Sequence, residues 1–476
     1  MYFEKNKIFF LAICLVIVSF ISLHAQKKSQ PNIILIMTDQ HQAEALSIVG
    51  NADVKTPNLD KLAKSGMRFE KTYVTFPLCT PSRSSIFTGK MPHNLGVNSN
   101  EIGDDKIKPT EKEFMLSKVL QQAGYDCAYG GKWHVSEPSM VEGNGFDMIA
   151  PMGDIGLAEK SIDYLKSKKG SEKPFFLTVS FDNPHTICEW ARNEPLAYGN
   201  IPEVTLSRTP QLPKNHEQGD TFPEVLKLEQ EASKKIYPTA NYTEEDWRQY
   251  RYTYYQLIEK VDLEIGKILN AIDDLKLREN TLIIFTSDHG DGNASHGWNQ
   301  KTALIEESIK VPFIASYKGK IKENQVNNTL LSNGLDLYPT ICEYAGIAIP
   351  KELSGKSLKA IFEIPKTIID RDFIVVETKF DGKTAFGTTG RAVIGKRYKY
   401  VLYSWGKNRE QLFDLEKDPL EMNNLALSKS NLKIIDQYRQ SLYEWCKSTN
   451  DVSFLKKIVL PTTSKMSSSS LFDKPY

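Results

Sequence analysis

Several short apolar runs in this chain stop abruptly at polar side chains, and this feature limits the fold more than any other. Residues 33–37 form an unbroken apolar run that ends in Thr38-Asp39-Gln40-His41. Such runs are typical of strands buried on both faces of a parallel sheet, and ligands bind at the carboxyl ends of these strands. Two further runs, at 175–181 and 281–286, end in the same way, before Asp182-Asn183-Pro184-His185 and Ser287-Asp288-His289-Gly290.

Helical patterns separate these runs. Thr56 and Pro57 begin a segment with apolar residues at 59, 62 and 63, and Gly66 ends it, which is the pattern of an N-cap, a first-turn proline and a C-terminal glycine. A second helix is predicted over 111–123 and is followed by a strand at 125–129. The alternation predicts an α/β fold with a large mixed, mainly parallel sheet sandwiched by helices.

The pattern changes after about residue 365, where short and more polar strands are predicted at 373–377, 392–394 and 398–403, with a closing helix near 431–447. We interpret this part as a small antiparallel subdomain. The predicted organisation is a signal peptide at 1–25, a catalytic domain at 26–364, an α+β subdomain at 365–460 and a flexible tail at 461–476. Residues 192–245 are rich in proline and charged residues. We interpret them as a long insertion, called the excursion below, at the mouth of the ligand site that the strand ends form.

The first 25 residues have the features of a secretory signal peptide. Lys5 and Lys7 precede an apolar run over 8–23, and Leu23-His24-Ala25 offers a small-residue cleavage site. The run is short for a membrane-spanning helix. A lipid anchor on Cys14 is disfavoured because Ala12 and Ile13 are not the residues that a lipoprotein signal requires there. We therefore predict export to the periplasm or beyond, without stable membrane insertion.

The charge balance argues against nucleic acid as a partner. The formal net charge is +1, and removal of residues 1–25 takes away Glu4, Lys5 and Lys7, which brings it to zero. An anionic substrate must then be held by a local cluster of bases. An odd number of cysteines remains, so at least one is unpaired even in an oxidising compartment; the five are Cys79, Cys127, Cys188, Cys342 and Cys446. Cys79 is our candidate for the unpaired residue.

The most informative motif surrounds Cys79, in Pro77-Leu78-Cys79-Thr80-Pro81-Ser82-Arg83-Ser84-Ser85. A lone cysteine before a helix is usually a buried small residue or an ordinary thiol. Here a Cys-x-Pro-x-Arg pattern opens a predicted helix, whose amide dipoles favour an anion at that point. From about Pro31 to Ala426 the chain resembles the type I sulfatases of the alkaline phosphatase superfamily, and in particular secreted bacterial polysaccharide sulfatases. The resemblance implies an alkaline-phosphatase-like fold.

The resemblance also implies a modified nucleophile and a metal ion. The family's cysteine at this position is oxidised to formylglycine (3-oxoalanine) by a formylglycine-generating or anaerobic sulfatase-maturating enzyme, and Arg83 matches the arginine that steadies it. One calcium ion per chain is implied, with ligands from Asp39, Gln40, Asp288, His289 and the oxidised Cys79. Many members have a second Asp in place of Gln40 and an Asn in place of His289. Independently, carboxylates at strand ends suit calcium or magnesium, although each alone is also typical of a helix cap or a solvated loop.

Four basic residues are candidates for sulfate binding and proton transfer. Lys132 and His134 follow Gly130-Gly131, and a double glycine lets the backbone approach a ligand closely. Taken alone, such residues are more often a surface lysine and a satisfied loop histidine. By resemblance, Lys132 and Lys301 bind the sulfate, His134 interacts with the formylglycine hydroxyl and His185 lies beside the scissile oxygen. His296 lies near Lys301 in sequence and is a further candidate for substrate binding.

The implied mechanism is displacement at sulfur. One hydroxyl of the hydrated aldehyde, ionised by calcium, attacks sulfur while the lysines offset charge. His185 protonates the departing alcohol, and the second hydroxyl then collapses, with His134 as base, to expel sulfate. The predicted function is therefore hydrolysis of sulfate esters on a carbohydrate, an algal polysaccharide such as ulvan, carrageenan or fucoidan, or glycosaminoglycan fragments.

Three alternatives stay open at this level. A phosphonate monoester or phosphodiester hydrolase of the same superfamily shares the formylglycine motif and the Asp-Gln and Asp-His pairs. A non-catalytic glycan-binding protein would be expected to lack site residues, and all of them are present. A cysteine hydrolase would need a Cys-His-Asn arrangement that the sequence does not show. Aromatic residues of the stretch 190–255, in the excursion and beside it, suit stacking on sugar rings or ordinary packing; they are Trp190, Tyr198, Tyr242, Trp247 and Tyr250.

Overall fold

The computed structural model describes residues 30–100, 114–135, 142–233, 236–364, 366–380 and 387–463. An eight-stranded sheet forms its centre, in the order β5-β4-β6-β1-β7-β8-β2-β9. The strands are β1 (Asn32–Asp39), β2 (Met67–Phe69), β3 (Thr72–Tyr73), β4 (Asp126–Gly131), β5 (Asp147–Ala150), β6 (Phe175–Pro184), β7 (Thr281–Ser287), β8 (Phe313–Ser316), β9 (Gln325–Asn327) and β10 (Leu331–Ser332). β3 and β10 form a separate pair.

The sheet is mixed and mainly parallel, as predicted. β1 lies between β6 and β7 and runs parallel to both, whereas β8 is antiparallel to its neighbours β7 and β2. Successive residues of β1 point to opposite faces, so Ile33 and Leu35 belong to one apolar core and Ile34 and Ile36 to the other. Burial on both faces explains why the sequence of this strand is apolar without alternation.

Helices cover both faces of the sheet. They are Pro57–Lys64, Cys79–Thr88, Pro92–Leu95, Leu116–Gln122, Leu157–Ser167, Ile187–Ala191, Glu224–Ser233, Glu244–Asp274, Glu306–Ile309, Asn333–Tyr344 and Lys359–Glu363. The first begins at the predicted Pro57. The helix predicted over 111–123 begins at Leu116 within the described part of the chain, and residues 111–113 lie outside it. These helices and the mixed sheet confirm the predicted α/β class.

A four-stranded antiparallel sheet follows, in the order β11-β12-β13-β14. Its strands are β11 (Phe373–Lys379), β12 (Thr389–Gly395), β13 (Tyr398–Tyr403) and β14 (Glu410–Asp414), and the helix Leu432–Ser448 covers one face. Val376 and Ile394 lie on the other face of this sheet and pack in one apolar core with Leu304, which precedes the subdomain. The smaller antiparallel subdomain is therefore confirmed, with β14 added to the predicted strands. The domain limits near 364 and 460 stay predictions.

The aromatic residues of the excursion mostly pack on one another. Trp190 contacts Tyr242 and Tyr250, and Trp247 contacts both tyrosines, with ring centroids 5.2–6.2 Å apart. Trp247 and Tyr250 are buried. The structure thus shows these four rings packed on one another, and stacking on a sugar stays a prediction.

The predicted signal peptide lies outside the described residues, and so does the predicted tail from residue 464 onward. Among the helices that are described, none combines the length and apolar character needed to cross a bilayer. The five cysteines after residue 25 are all buried and free, so the structure pairs none of them in a disulfide.

Candidate active site

Three neighbouring strands deliver polar side chains to one edge of the main sheet. β1 ends at Asp39, β7 runs into Asp288 and His289, and β6 leads to His185. Because β6, β1 and β7 are adjacent and parallel, their carboxyl ends meet. Cys79 faces this edge from the first residue of the helix Cys79–Thr88, where the helix dipole favours negative charge. Its thiol lies 3.7 Å from Asp39 Oδ1 and 3.2 Å from His289 Nε2.

Arg83 holds the two strand-end carboxylates in place. Its Nε donates to Asp288 Oδ2 at 2.7 Å and its Nη2 donates to Asp39 Oδ2 at 3.0 Å. Nη1 donates to the Lys132 carbonyl at 2.6 Å and to Ser180 Oγ at 2.8 Å. The guanidinium is fully buried, and these ion pairs raise its pKa against the opposing effect of burial. Arg83 is thus a fixed positive charge that joins β1, β4, β6 and β7.

Asp39, Cys79, Asp288 and His289 form a cluster that could hold a metal ion. One ligand atom from each lies within 4.8 Å of the others. His289 Nδ1 donates to the Gly290 carbonyl at 2.9 Å, which leaves Nε2 free to act as a ligand. Burial and the charge of Asp39 raise the pKa of Asp288 to about 6. Arg83 binds one oxygen of each carboxylate, and the other oxygens, Asp39 Oδ1 and Asp288 Oδ1, lie 3.7 and 3.8 Å from His289 Nε2. Two carboxylate oxygens and an imidazole nitrogen at these separations fit a divalent metal ion.

The Gln40 side chain is held by groups that the sequence did not reveal. Its Nε2 donates to Asp291 Oδ2 at 2.7 Å, and its Oε1 lies 3.6 Å from the Cys188 thiol. The hydroxyl of Tyr250 donates to the same Asp291 carboxylate at 3.0 Å. Gln40 itself has a positive φ of 70° and donates its backbone N–H to Asp288. Asp291 thereby fixes the orientation of the Gln40 amide.

Lys301 reaches Cys79 from a strained loop. Its Nζ lies 3.2 Å from the Cys79 sulfur. The residues on either side, Gln300 and Thr302, have positive φ values of 64° and 75°. A β-branched residue rarely adopts this conformation, and such strain is concentrated at functional sites. The Thr302 backbone N–H donates to the Pro77 carbonyl, which ties this loop to the Cys79 segment.

Lys132 lies between two carboxylates. Its Nζ is 2.9 Å from Asp39 Oδ2 and 2.9 Å from Asp182 Oδ1. Burial alone would lower the pKa of Lys132, but these neighbours raise it well above its usual value. The double glycine before it allows a close approach to β6, because a Cβ on Gly131 would lie 2.0 Å from the Ser180 carbonyl oxygen. A close approach to a ligand stays a prediction.

His134 and His185 both lie beside the Cys79 thiol. The Nδ1 atom of His134 is buried and has no partner among the described residues, and the residue has a positive φ of 48°. His185 Nδ1 lies 4.0 Å from Asp182 Oδ1. Burial, Lys132 and Lys301 lower the pKa of His185. Both histidines are therefore placed to exchange protons at position 79.

The surroundings of Cys79 favour an anion. Burial by itself would raise the pKa of the thiol, but Lys301, Lys132 and His289 bring it well below its usual value. An oxyanion at this position would experience the same cations. The site therefore stabilises negative charge on the residue that occupies position 79.

The structure brings the predicted site residues together around Cys79, with two exceptions. The side-chain contacts of Gln40 are with Asp291 and Cys188, and only its backbone N–H reaches Asp288; the contacts of His296 lie elsewhere. The ring of His296 stacks on Phe222 at 5.7 Å, and its Nε2 lies 3.4 Å from Asn215 Nδ2. Sequence reasoning missed Asp182 and Asp291. Asp182 follows an apolar strand just as Asp39 and Asp288 do, and that signal could have identified it.

A family model described as Sulfatase matches residues 31–347, two thirds of the chain. The chain belongs to the sulfatase family. A second model, described as N-sulphoglucosamine sulphohydrolase, C-terminal, matches residues 294–448 of this sulfatase. Sulfatases hydrolyse sulfuric esters, and the relatives are named as sulfatases.

Two curated relatives of this sulfatase are 29% identical to it. The Delta 4,5-hexuronate-2-O-sulfatase of Bacteroides thetaiotaomicron aligns over 90% of this chain and 91% of its own. An ulvan-active sulfatase of Formosa agariphila aligns over 83% of this chain and 77% of its own.

Among solved structures, a 2-O GAG sulfatase superposes with a TM-score of 0.79 and 28% identity, covering 90% of this chain and 95% of that one. The phosphonate monoester hydrolase of Agrobacterium radiobacter superposes with a TM-score of 0.69, covering 88% of this chain and 96% of that one. At 22% identity, that likeness concerns the fold alone.

Proposed function

We propose that this sulfatase removes sulfate from a sulfated carbohydrate, with formylglycine at position 79 and calcium as its metal ion. The observation that carries the proposal is the position of Cys79. Lys301 Nζ and His289 Nε2 each lie 3.2 Å from its sulfur, and the Asp39 carboxylate lies 3.7 Å away. An oxygen nucleophile at this point has a metal cluster on one side and sulfate-binding cations around it.

Formylglycine suits this position for a chemical reason. The hydrate of an aldehyde carries two hydroxyl groups. One would attack sulfur, and loss of the proton from the other would form C=O and break the bond from carbon to the sulfated oxygen, which releases sulfate; water then rehydrates the aldehyde. Conversion of Cys79 requires a formylglycine-generating or anaerobic sulfatase-maturating enzyme as a partner. Such enzymes read the Cys-x-Pro-x-Arg segment, which is intact here at residues 79–83.

The calcium ion would be held by Asp39, Asp288, His289 and Gln40, together with an oxygen of the modified residue 79. Oxygen donors dominate this set, which favours a hard cation. When bound, calcium lowers the pKa of the hydrate hydroxyl and offsets charge on the sulfate. Gln40 is oriented for this role by its bond to Asp291.

The remaining residues act on charge and protons. Lys132 and Lys301 offset the negative charge of the sulfate oxygens, and Arg83 keeps Asp39 and Asp288 ionised and aligned. His185 donates a proton to the departing alcohol oxygen. His134, whose Nδ1 has no partner among the described residues, accepts a proton from the second hydroxyl.

A carbohydrate substrate is supported by the relatives. Their printed names include a hexuronate-2-O-sulfatase, an ulvan-active sulfatase and an N-acetylglucosamine-6-O-sulfatase. Export, as the first 25 residues predict, would bring the enzyme to algal polysaccharides such as ulvan, carrageenan or fucoidan, or to glycosaminoglycan fragments. We do not assign His296 to substrate binding, because its side chain contacts Asn215 and Phe222.

The proposal is tested by comparing kcat/KM on three substrate classes: a panel of defined sulfated oligosaccharides, aryl sulfates and aryl phosphonates. We expect a sulfated oligosaccharide to be the best substrate by a wide margin, because two lysines and one metal ion match the charge of a sulfate ester. A phosphonate as the best substrate would assign the protein to the alternative hydrolase class. Absence of turnover on every class by protein with formylglycine at position 79 would favour the glycan-binding alternative.

A further inference from the structure

A second group of ligand-type side chains lies between the loop that carries Lys301 and the C-terminal subdomain. One ligand atom from each of His296, Glu307 and Glu421 lies within 4.8 Å of the other two. His296 and Glu421 are 3% and 6% exposed, and Glu307 is half-buried. His296 and Glu307 lie on neighbouring segments, Glu421 comes from the C-terminal subdomain, and the mechanism above uses none of the three. The cluster is therefore a separate feature of the fold.

The negative charge of this cluster exceeds its positive charge. Three carboxylates meet here, from Glu306, Glu307 and Glu421, and one ammonium, from Lys399, lies 3.1 Å from Glu306 and 2.6 Å from Glu421. Burial lowers the pKa of His296 by more than the neighbouring Glu307 raises it, and the neutral imidazole is the form that binds metals. Buried carboxylates are normally paired with cations or coordinate them. Glu307 has no such partner here among the described ion pairs.

Asn215 provides an independent indication that a ligand belongs in this cluster. The side chain is 1% exposed, and its Nδ2 lies 2.9 Å from Glu307 Oε1 and 3.4 Å from His296 Nε2. Its Oδ1 has no hydrogen-bond partner within the described part of the chain. Nδ2 also donates to the Leu420 carbonyl at 3.3 Å. A half-turn of the amide gives up that bond and places the oxygen toward His296 and Glu307, where a bound cation would hold it. Asn215 can then act as an oxygen donor.

We propose that His296, Glu307, Glu421 and Asn215 form a second cation site, which takes a divalent transition-metal ion of the zinc type. Imidazole combined with carboxylates is a common ligand set for zinc, and four donors match its usual coordination number. Nitrogen and oxygen donors in a tetrahedral zinc site lie about 3.4 Å apart. The ligand atoms here lie within 4.8 Å of one another, so the side chains would have to move together by about 1 Å around the ion.

The neighbouring ammonium is compatible with a metal ion. Lys399 pairs with Glu421 just as Lys132 pairs with Asp39 in the Cys79 site, where the carboxylate also belongs to a cluster of metal-ligand type. Glu306 and Glu307 line a cavity of about 500 Å³ that gives an ion access. A bound ion would tie the excursion, the helix Glu306–Ile309 and the C-terminal subdomain together beside the Lys301 loop.

The experiment counts zinc bound by the full-length protein after dialysis, by elemental analysis and titration calorimetry. The Asp39→Asn/Asp288→Asn double variant serves as the background, because it removes two ligands of the Cys79 cluster. We expect it to bind one zinc ion per chain. Addition of Glu307→Gln or His296→Gln should abolish that binding. Glu306→Gln is the matched control, since this neighbouring carboxylate faces Lys399 and Tyr73 and should leave zinc bound.

Two results would overturn the proposal: a background variant that binds no zinc, or a Glu307→Gln variant that binds as much as its parent. If the double variant does not fold, the same count is made on the unmodified protein and on the single Glu307→Gln variant, which should differ by one ion per chain. The inference does not rest on the proposed function, because zinc content is measured without turnover. A substrate-binding role for His296 instead predicts a changed KM with unchanged zinc content.

Discussion

At the scale of single residues, the site is built from opposed charges that fix one another. Arg83 and Lys132 pair with Asp39, and Lys132 also pairs with Asp182, whose other oxygen accepts from Tyr198. The charges are buried, so removal of one partner leaves another uncompensated. Loss of activity alone therefore does not identify the role of a substituted residue. The informative measurements are how the loss depends on the substrate and on the metal ion.

His185→Ala should harm hydrolysis of sugar sulfates far more than hydrolysis of an activated aryl sulfate. A sugar alkoxide is a poor leaving group and needs a proton, whereas a phenolate departs unaided, and general acids contribute about 10²–10⁴-fold. The measurement is kcat/KM on both substrates for the variant and the unmodified enzyme. An equal loss on both sulfates would remove His185 from the role of leaving-group acid.

Asp288→Asn should lose activity together with calcium affinity. The substitution keeps the size of the side chain but removes one of the two carboxylates of the Cys79 cluster. Calcium binding by calorimetry and activity across a calcium titration should shift together, by about 10-fold or more. Asp262→Asn is the matched control, because this buried carboxylate caps the helix Pro57–Lys64 far from the Cys79 cluster. Undiminished calcium affinity in Asp288→Asn would show that we have misassigned this residue.

At the scale of elements, the sequence predicted the strands near the site well and the connections between them poorly. The apolar runs before Asp39, Asp288 and His185 correspond to β1, β7 and β6. They were predictable because a strand buried on both faces has a continuous apolar sequence, which is visible without knowledge of the fold. The excursion was read as irregular, yet it contains the helix Glu224–Ser233. Its aromatic rings pack on one another, a choice that depends on tertiary neighbours absent from any local pattern.

One contact between elements predicts how stability changes with pH. His93 lies against the C-terminal subdomain, with Nδ1 2.5 Å from Glu377 Oε1 and Nε2 3.0 Å from the Thr449 carbonyl. Both ring nitrogens face acceptors, so the charged form is favoured. Burial lowers the pKa of His93, but Glu377 outweighs this effect and raises the pKa above its ordinary value of 6.5.

Because the folded pKa of His93 lies above the unfolded one, its contribution is complete below the unfolded pKa and is lost as pH rises through the folded pKa. His93→Gln should therefore lower the free energy of unfolding by about 2 kcal/mol in mild acid and by less at higher pH. Urea unfolding at a series of pH values measures this. His41→Gln is the opposite comparison: burial lowers the pKa of His41 to about 4, so only the unfolded chain takes up a proton as pH falls from 6.5 toward 4. The loss of stability in His41→Gln should therefore shrink in mild acid, where the loss in His93→Gln is largest. A pH-independent loss in His93→Gln would contradict the argument.

At the scale of the whole molecule, the fold class followed from the alternation of strands and helices and the site from the ends of those strands. The roles of the Cys79 motif and of the basic residues 132, 134, 185 and 301 were inferred from the resemblance to type I sulfatases. In the structure these basic residues lie around Cys79. The contact of Gln40 with Asp291 and the separate cluster around His296 were not predictable, since both depend on side chains that the topology brings from distant segments.

The central claim is that residue 79 of the active enzyme is an aldehyde, and the mass of the tryptic peptide spanning residues 72–83 tests it most directly. The protein should be produced with a formylglycine-generating or anaerobic sulfatase-maturating enzyme, and its sulfatase activity measured in the same preparation. We predict the mass of formylglycine or its hydrate at position 79, in a fraction that rises in proportion to specific activity. A fully active preparation in which this peptide carries only the unmodified cysteine thiol would contradict the account.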